Sequence, residues 1–254
     1  LWMAACSAAP AETPQTAPVE TSEPASAPQA EPTPTVEAAA QTLSLTDGLG
    51  RTIDLAGPAQ RIVSLAPSNT EILFAIGAGD QVVGRDLFSD YPQSAAEVTD
   101  IGGDFGELNT ELIVSLEPDL LLGSELTPPE QVQALEDLGL TVFVLPNPKE
   151  IEEMYENLRT TGQLTGHLEE AEALIAELQG RVQAVDEKIA GAQERPLVFY
   201  ELDSTEPDSP WTAGSGTFID RLIDRAGGEN LGNMLEGEWA QISIEALLVE
   251  DPDI

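Results

Sequence analysis

Little in these 254 residues is suited to making or breaking bonds. There is one His and one Cys, so a Cys/His zinc centre is excluded and a Ser–His or Cys–His nucleophile would have to use His167. His167 stands in "LTGHLEEAEAL" at the start of a strongly helical run, where it reads as a surface or capping residue. A secreted hydrolase would need Ser64, Ser68 or Ser215 beside it. No HExxH, Walker A loop, EF-hand loop or strand-led GxGxxG occurs, and "GAGDQVVG" at 77–84 closes a helix instead of opening one. The unusual chemistry lies in a few rings. Aromatics make up only 5% of the chain, yet Phe88 in "RDLFSDYP", Phe105 in "GGDFGEL", Trp211 in "DSPWTAG" and Trp239 in "GEWAQIS" all fall in polar or glycine-rich stretches, outside any helical or strand period. A single such ring commonly plugs a loop onto the core. Four of them, two in each half, suit a cleft that stacks on a large, planar, mostly apolar ligand, each ring burying roughly 150–250 Å². Tyr91 could add a hydroxyl donor at the rim or merely cap the turn at Pro92.

Two acids are placed alike. "LNTELIVSLEPDLLL" at 108–122 and "ISIEALLVEDPDI" at 242–254 align so that Glu245 falls on Glu111 and Pro252-Asp253-Ile254 on Pro118-Asp119-Leu120. Each glutamate begins a short helix, where it complements the helix dipole by about 0.3–1 kcal/mol. Repetition in both halves also suits a partner with two-fold symmetry.

The elements that position these residues can be read from the apolar pattern. "TLSLTDGLGRTIDL" alternates on both sides of Asp47-Gly48, a hairpin signal. "RIVSLAPSNTEILFAIGAG" predicts a strand over 61–65 and a helix over about 70–76, with Ser68 and Glu71 at capping-box spacing and Gly77 as the stop. Short strands follow near Val82-Val83 and Asp100-Ile101. Then come helix 110–117, strand 119–123, helix 128–138 and strand 141–145. Such βα alternation predicts an α/β fold with a mainly parallel sheet. From Pro148 to Gln193 apolar residues recur at helical spacing, which predicts one long helix bent near Gly162 or Gly166. After it "RPLVFYEL" restarts a strand, a loop carries Trp211, and a helix over 217–225 ends at Ala226-Gly227-Gly228. The expectation is two similar α/β lobes, 42–148 and 194–254, joined by an interlobe helix over 149–193 with the ligand cleft between them; the second lobe reads as incomplete at Ile254.

Composition bounds the partners. There are 46 acids against 10 bases, a formal charge of −36. That field repels phosphate backbones and anionic headgroups, so nucleic-acid and peripheral membrane-surface binding are poor readings. The acidity gives a solvated surface and also suits a salty exterior. Residues 1–6, "LWMAAC", read as a leader remnant, with Met3-Ala4-Ala5-Cys6 resembling a bacterial lipobox whose Cys6 would be lipidated. Residues 7–41 are rich in Ala, Pro, Thr and Ser and carry five Glu and no base, which predicts a disordered tether.

The order "RIVSLAPSNTEILFAIGAGDQVVG", "FSDYP", "LNTELIVSLEPDLLL", "AGGENL" and "WAQISIEALLVEDPDI" resembles the substrate-binding proteins of ABC importers for cobalamin and iron complexes, from about Leu43 onward. The resemblance implies a lipid-anchored, extracytoplasmic, monomeric receptor without catalysis or a resident cofactor, working with a permease and its ATPase. It implies that Phe88, Phe105, Trp211 and Trp239 line the cleft. A further aromatic of the family falls on Ser124 here. Glu111 and Glu245 would dock into arginine pockets on the two permease subunits, and the family has more chain beyond residue 254. Members that take anionic siderophores or haem often place Arg in the cleft, whereas only Arg85 lies near a cleft loop in this chain, with Asp86 or Asp90 as its surface ion-pair partner. That places a corrinoid (cobalamin) ahead of a ferric siderophore or haem. A secreted hydrolase and a ligand-free structural lipoprotein remain the alternatives of a different class.

Overall fold

The computed structural model describes residues 42–104 and 107–254, so Cys6, the tether and Phe105 lie outside the described residues. A hairpin comes first, pairing β1 (Leu43–Thr46) antiparallel with β2 (Thr52–Leu55). Asp47 builds its turn. One carboxylate oxygen accepts the N–H groups of Leu49 at 3.0 Å and Arg51 at 2.9 Å, and the other takes the Arg51 guanidinium at 2.6 Å. Arg51 reaches on to Glu136 at 2.6 Å and to the Val142 carbonyl at 3.2 Å, fastening the hairpin to the sheet behind it. Gly48 lies so close to that sheet that a Cβ would sit 2.8 Å from the Pro146 nitrogen. Burial acts to raise the Asp47 pKa, but the hydrogen bonds and charge of Arg51 outweigh it and hold the carboxyl below its ordinary value.

The first lobe then alternates strand and helix through β3 (Ile62–Ser64), α1 (Pro67–Ala75) and β4 (Val82–Arg85), a small antiparallel pair β5 (Gly102–Asp104) and β6 (Glu107–Leu108), then α2 (Thr110–Ser115), β7 (Leu120–Ser124), α3 (Pro129–Asp137) and β8 (Val142–Leu145). The four long-range strands form a parallel sheet in the order β4-β3-β7-β8. Alternation sends Ile62, Leu120, Leu122, Phe143 and Leu145 to one face, against Leu73 and Ile76 of α1. Val63, Leu121, Val142 and Val144 go to the other, against Ile113 of α2 and Val132 and Leu135 of α3. Each such buried side chain contributes about 1.5–3 kcal/mol. Helix α1 starts earlier than expected, because Pro67, whose fixed φ suits a first helical position, begins it. Ala66 is therefore the cap, and the box of Ser68 and Glu71 is not formed. Gly77 does end the helix, at φ 84°.

The helical region after the first lobe is a correction to the single helix expected over 149–193. It holds two helices, α4 (Ile151–Thr165) and α5 (Leu168–Ile189), and the chain reverses at Gly166, φ 80°. The two pack antiparallel: Gly162 approaches Ala171 so closely that a Cβ there would lie 2.8 Å from the Ala171 Cβ, and Arg159 bonds Glu172 at 2.6 Å. Tyr155, Leu158 and Leu164 of α4 and Ala171 and Ile175 of α5 complete the first core. Helix α5, 22 residues long, is the connector. Its far end meets the second lobe, where Ile189 packs on Gly227 and Asp186 takes Arg225 at 3.2 Å.

The second lobe contains β9 (Leu197–Val198), β10 (Glu201–Asp203), β11 (Trp211–Ala213), α6 (Phe218–Arg225), β12 (Glu229–Asn230), β13 (Trp239–Gln241) and α7 (Ile244–Glu250). "RPLVFYEL", expected as one strand, splits at Phe199-Tyr200 between β9, which pairs parallel with β12, and β10, which joins the antiparallel order β10-β11-β13. The sequence repeat is physical. Asn109 caps α2 by accepting the Leu112 N–H, and Ser243 caps α7 by accepting that of Ala246. Both helices give way to a left-handed residue, Glu117 at φ 47° and Asp251 at φ 46°. A Pro-Asp follows each. Asp119 accepts the Arg61 N–H at 3.0 Å and donates its own N–H to the Arg61 carbonyl at 2.9 Å. Asp253 does the same with Leu197, at 2.9 Å both ways. In each lobe the aspartate thus starts a chain segment beside the first strand of the parallel sheet.

Candidate ligand-binding site

In the first lobe the pocket lies where open α/β sheets place ligands, outside the carboxyl ends of the strands. Connections leave β3 and β7 in opposite directions, since β4 lies on one side of β3 and β8 on the far side of β7. A pocket of about 360 Å³ opens there, lined by Leu65–Pro67 after β3, Asp86 and Phe88 after β4, and Ser124 and Leu126 at the end of β7. A buried polar network meets the lining at Asp86. Thr70 Oγ1 lies 2.8 Å from both the Ser64 and the Ser89 hydroxyl oxygens, and Ser89 donates to Asp86. Asp86 also accepts the Phe88 N–H at 2.9 Å, which fixes the backbone that presents the ring. Asn69 donates to the carbonyls of Leu122 at 3.1 Å and Gly123 at 2.9 Å, tying α1 to the end of β7.

The tryptophan-bearing part of the second lobe is built differently from the sequence expectation. Trp211 and Trp239 are not in loops but in β11 and β13. Ala213 pairs with Trp239 and Trp211 with Gln241. Residues opposite one another share a face, so the tryptophans sit diagonally on the same face of the antiparallel sheet. Thr212 between them is wholly buried on the other side. Behind the sheet Asn230 donates to the Ala213 carbonyl at 2.9 Å and to Asp220 at 3.2 Å. Burial acts to raise the Asp220 pKa, while the Gly216 N–H, the amides of Asn230 and Asn233 and the charge of Arg221 outweigh it and hold it down.

Phe88 at 56% exposure, Tyr91 at 67%, Trp211 at 37% and Trp239 at 50% all offer ring surface to solvent. Phe88 belongs to the first-lobe pocket, the tryptophans form a pair in the second lobe, and Tyr91 follows Phe88 on the same segment. Lys149, at the head of the helical hairpin, lies 3.8 Å from Glu238, the residue before Trp239. Arg85 is no ligand arginine in this arrangement, nor the surface partner of the Asp86 or Asp90 carboxylate. Its guanidinium donates to the carbonyls of Ala95, Asp86 and Leu87 and lies 3.8 Å from Asp100. The sequence reading missed Leu126, an exposed apolar residue in "GSELTPPE" outside any period, and Asp86 as part of the lining.

The hydrolase constellation is not assembled among the described residues: His167 Nδ1 faces the Thr165 carbonyl at 3.1 Å, and Ser64 Oγ bonds Ala66 and Thr70. No cluster of His, Cys, Asp and Glu able to hold a metal occurs among the described residues. No helix among them is long and apolar enough to cross a membrane. Glu111 and Glu245 are both exposed, each at the second position of its helix.

Two α/β lobes joined by a long helix, with parallel strands ending on an aromatic-rimmed pocket, define a bilobal solute-binding protein. The chain belongs to the periplasmic binding protein family, whose model matches residues 62–254. It is 32% identical over 212 residues to a cobalamin-binding protein of Halobacterium salinarum, covering 82% of this chain and 56% of that protein. The chain therefore spans little more than half the length of that relative. An uncharacterized ABC transporter substrate-binding lipoprotein of Bacillus subtilis, YvrC, is 29% identical over 83% of this chain and 67% of its own length. Among solved structures, the periplasmic vitamin B12 binding protein BtuF of Vibrio cholerae superposes with a TM-score of 0.67 at 30% identity, covering 78% of this chain and 75% of that one. The periplasmic heme-binding protein RhuT from Roseiflexus sp. RS-1 gives 0.68 at 29% identity, over 77% and 74%. At the level of the family these are binding proteins of transporters, not enzymes.

Proposed function

We propose that this chain is the ligand-binding part of a lipid-anchored extracytoplasmic receptor that captures a corrinoid between its lobes and hands it to an ABC importer. The observation that carries the reading is the placement of rings. Phe88 stands over the carboxyl ends of one parallel sheet, and Trp211 and Trp239 share one sheet face in the other lobe. In this reading Phe105 and Tyr91 add to the first wall, and lobes over 42–148 and 194–254 close on the ligand through the helical connector. Cys6 carries the lipid, residues 7–41 are the tether, and Glu111 and Glu245 engage arginines on the two permease subunits, which an ATPase drives. The names of the halobacterial and Vibrio relatives support a corrinoid. A second reading, a haem or ferric-chelate binder, is favoured by the likeness to a heme-binding protein and to a possible iron-binding protein from Staphylococcus epidermidis.

Titration of the full chain with cyanocobalamin, haemin and ferric siderophores, read by tryptophan fluorescence, tests both. Saturable quenching by cyanocobalamin at micromolar concentration supports the first reading, and quenching by haemin or a ferric chelate alone moves the assignment to the second. Quenching by none would overturn both and leave a ligand-free lipoprotein.

A further inference from the structure

The pocket beneath Phe88 has an acid in its lining. Asp86 lines it and is only 5% exposed, and no Lys or Arg stands among the described lining residues. Its carboxylate accepts the Phe88 N–H and the Ser89 hydroxyl, and since a carboxylate accepts about four hydrogen bonds, acceptor capacity remains. The base next to Asp86 in sequence is committed elsewhere: Arg85 donates to three backbone carbonyls, and its ion pair is with Asp100. Around the tryptophans in the second lobe the described charges are mostly acids, with Lys149 standing 3.8 Å from Glu238. Asp203 lies across from Trp211 in the sheet, and Glu238 precedes Trp239.

We infer that Asp86 makes the site select macrocycles with hydrogen-bond donors on their rim, such as the primary amides of a corrinoid, over macrocycles bearing carboxylates, such as haem with its two propionates. The inference rests on the proposed ligand site and deepens it by naming the polarity of the rim. An amide N–H placed against a buried carboxylate forms a charge-assisted hydrogen bond, which is shorter and stronger than a neutral one. A carboxylate in the same place sets like charges together where little water screens them.

Matched ligand pairs test this on the unmodified full chain: cyanocobalamin against the monocarboxylate made by hydrolysing one peripheral amide, and haemin against its dimethyl ester. The uncharged member of each pair should bind at least about tenfold tighter, the ratio expected for a single unfavourable charge contact. Asp86→Asn should narrow each ratio by about tenfold, whereas Asp90→Asn, exposed and outside the lining, should leave both ratios as they were. Equal binding of the two members of each pair by the unmodified chain overturns the inference, as does an unchanged ratio in Asp86→Asn. Binding of no macrocycle by a chain with native circular dichroism is a different outcome: it removes the proposed ligand site, and the selectivity falls with it.

Discussion

Replacing Asp47 with Ala should be among the costliest single changes in the amino-terminal hairpin. The side chain is wholly shielded from solvent. It holds the Leu49 and Arg51 N–H groups and the Arg51 guanidinium, and the Val144 N–H lies 3.4 Å away. Truncation does not strand Arg51, which keeps Glu136 at 2.6 Å and is 30% exposed. The cost therefore falls below the ~3–5 kcal/mol of breaking a fully buried pair and above the ~1 kcal/mol of one neutral hydrogen bond; we take about 2–3 kcal/mol. For a domain of this size that lowers Tm by about 5–10 °C. Asp47→Asn keeps an acceptor for the turn N–H groups and should recover about half. The pH dependence has a defined sign. A carboxyl whose folded-state pKa lies below its ordinary 3.8 gives stability that is complete above that value and lost as pH falls through the folded one. The Tm gap between the native chain and Asp47→Ala should thus be full at neutral pH and shrink below about pH 4. Thermal melts followed by circular dichroism measure it, with the exposed Asp54→Ala as control. A gap as small as that control's, or one that persists undiminished at pH 2 with folded protein, would refute the reasoning.

Trp239→Ala should weaken cyanocobalamin binding by about 1–3 kcal/mol, at about 25 cal/mol per Å² of lost ring face, and Tyr91→Ala by less, because the smaller ring stands further out in solvent; isothermal titration of the two variants compares them directly. Arg225 ties α6 to Glu152 at 2.9 Å and to Asp186 at 3.2 Å, but Arg225 and Asp186 are only half-buried and Glu152 is exposed, so Arg225→Ala should cost only about 1 kcal/mol at low salt. That difference from the native chain should vanish near 1 M NaCl, where the Debye length is about 3 Å; since a charge of −36 repels itself, both proteins should meanwhile melt higher. Reversing Glu111 and Glu245 together to Lys should leave cyanocobalamin affinity intact and abolish stimulation of the importer's ATPase, each single reversal giving a partial defect; a lowered Tm with stimulation intact would reduce the two acids to helix-dipole partners.

What could be read in advance was local. The first sheet was legible because its strands are short apolar runs closed by glycine or proline, and Gly77 and the Asp47-Gly48 turn mark their own conformations. The helical hairpin was not, because the apolar period runs on across Gly166-His167 and a two-residue reversal leaves the same spacing as a bend. The signal lay in a left-handed Gly166 followed by Glu169 and Glu170 in the first turn of a new helix. Trp211 and Trp239 looked like loop residues because β11 and β13 have three residues each, too few for alternation to register. The repeat was readable for the opposite reason. Cap, left-handed residue and Pro-Asp clasp are backbone chemistry, and in each lobe they act within the helix–strand unit or on the adjacent first strand of the sheet.

The pocket lining shows a residue that alignment alone does not reveal. Matching Ser124 to a family aromatic suggested a gap in the first wall. Ser124 is instead nearly buried, accepting the Leu126 N–H at 3.3 Å, and Leu126 two residues later stands 79% exposed on the pocket lining. No aromatic stands at Ser124 or Leu126, and the pocket is lined there by a serine and a leucine. A leucine gives apolar area without a quadrupole, so it favours no ring geometry, whereas an aromatic face favours offset or edge-on contacts. If the proposed site is right, orientation of a planar ligand would fall, among the described residues, to Phe88 on one side and the tryptophan pair on the other. In the same reading Leu126 would supply a surface along which different ring peripheries can slide, and the polarity of the rim would be left to Asp86. Leu126→Trp should therefore restrict the range of macrocycles bound rather than simply strengthen binding. Equal gains in affinity for cyanocobalamin and haemin dimethyl ester in that variant would count against this division of roles.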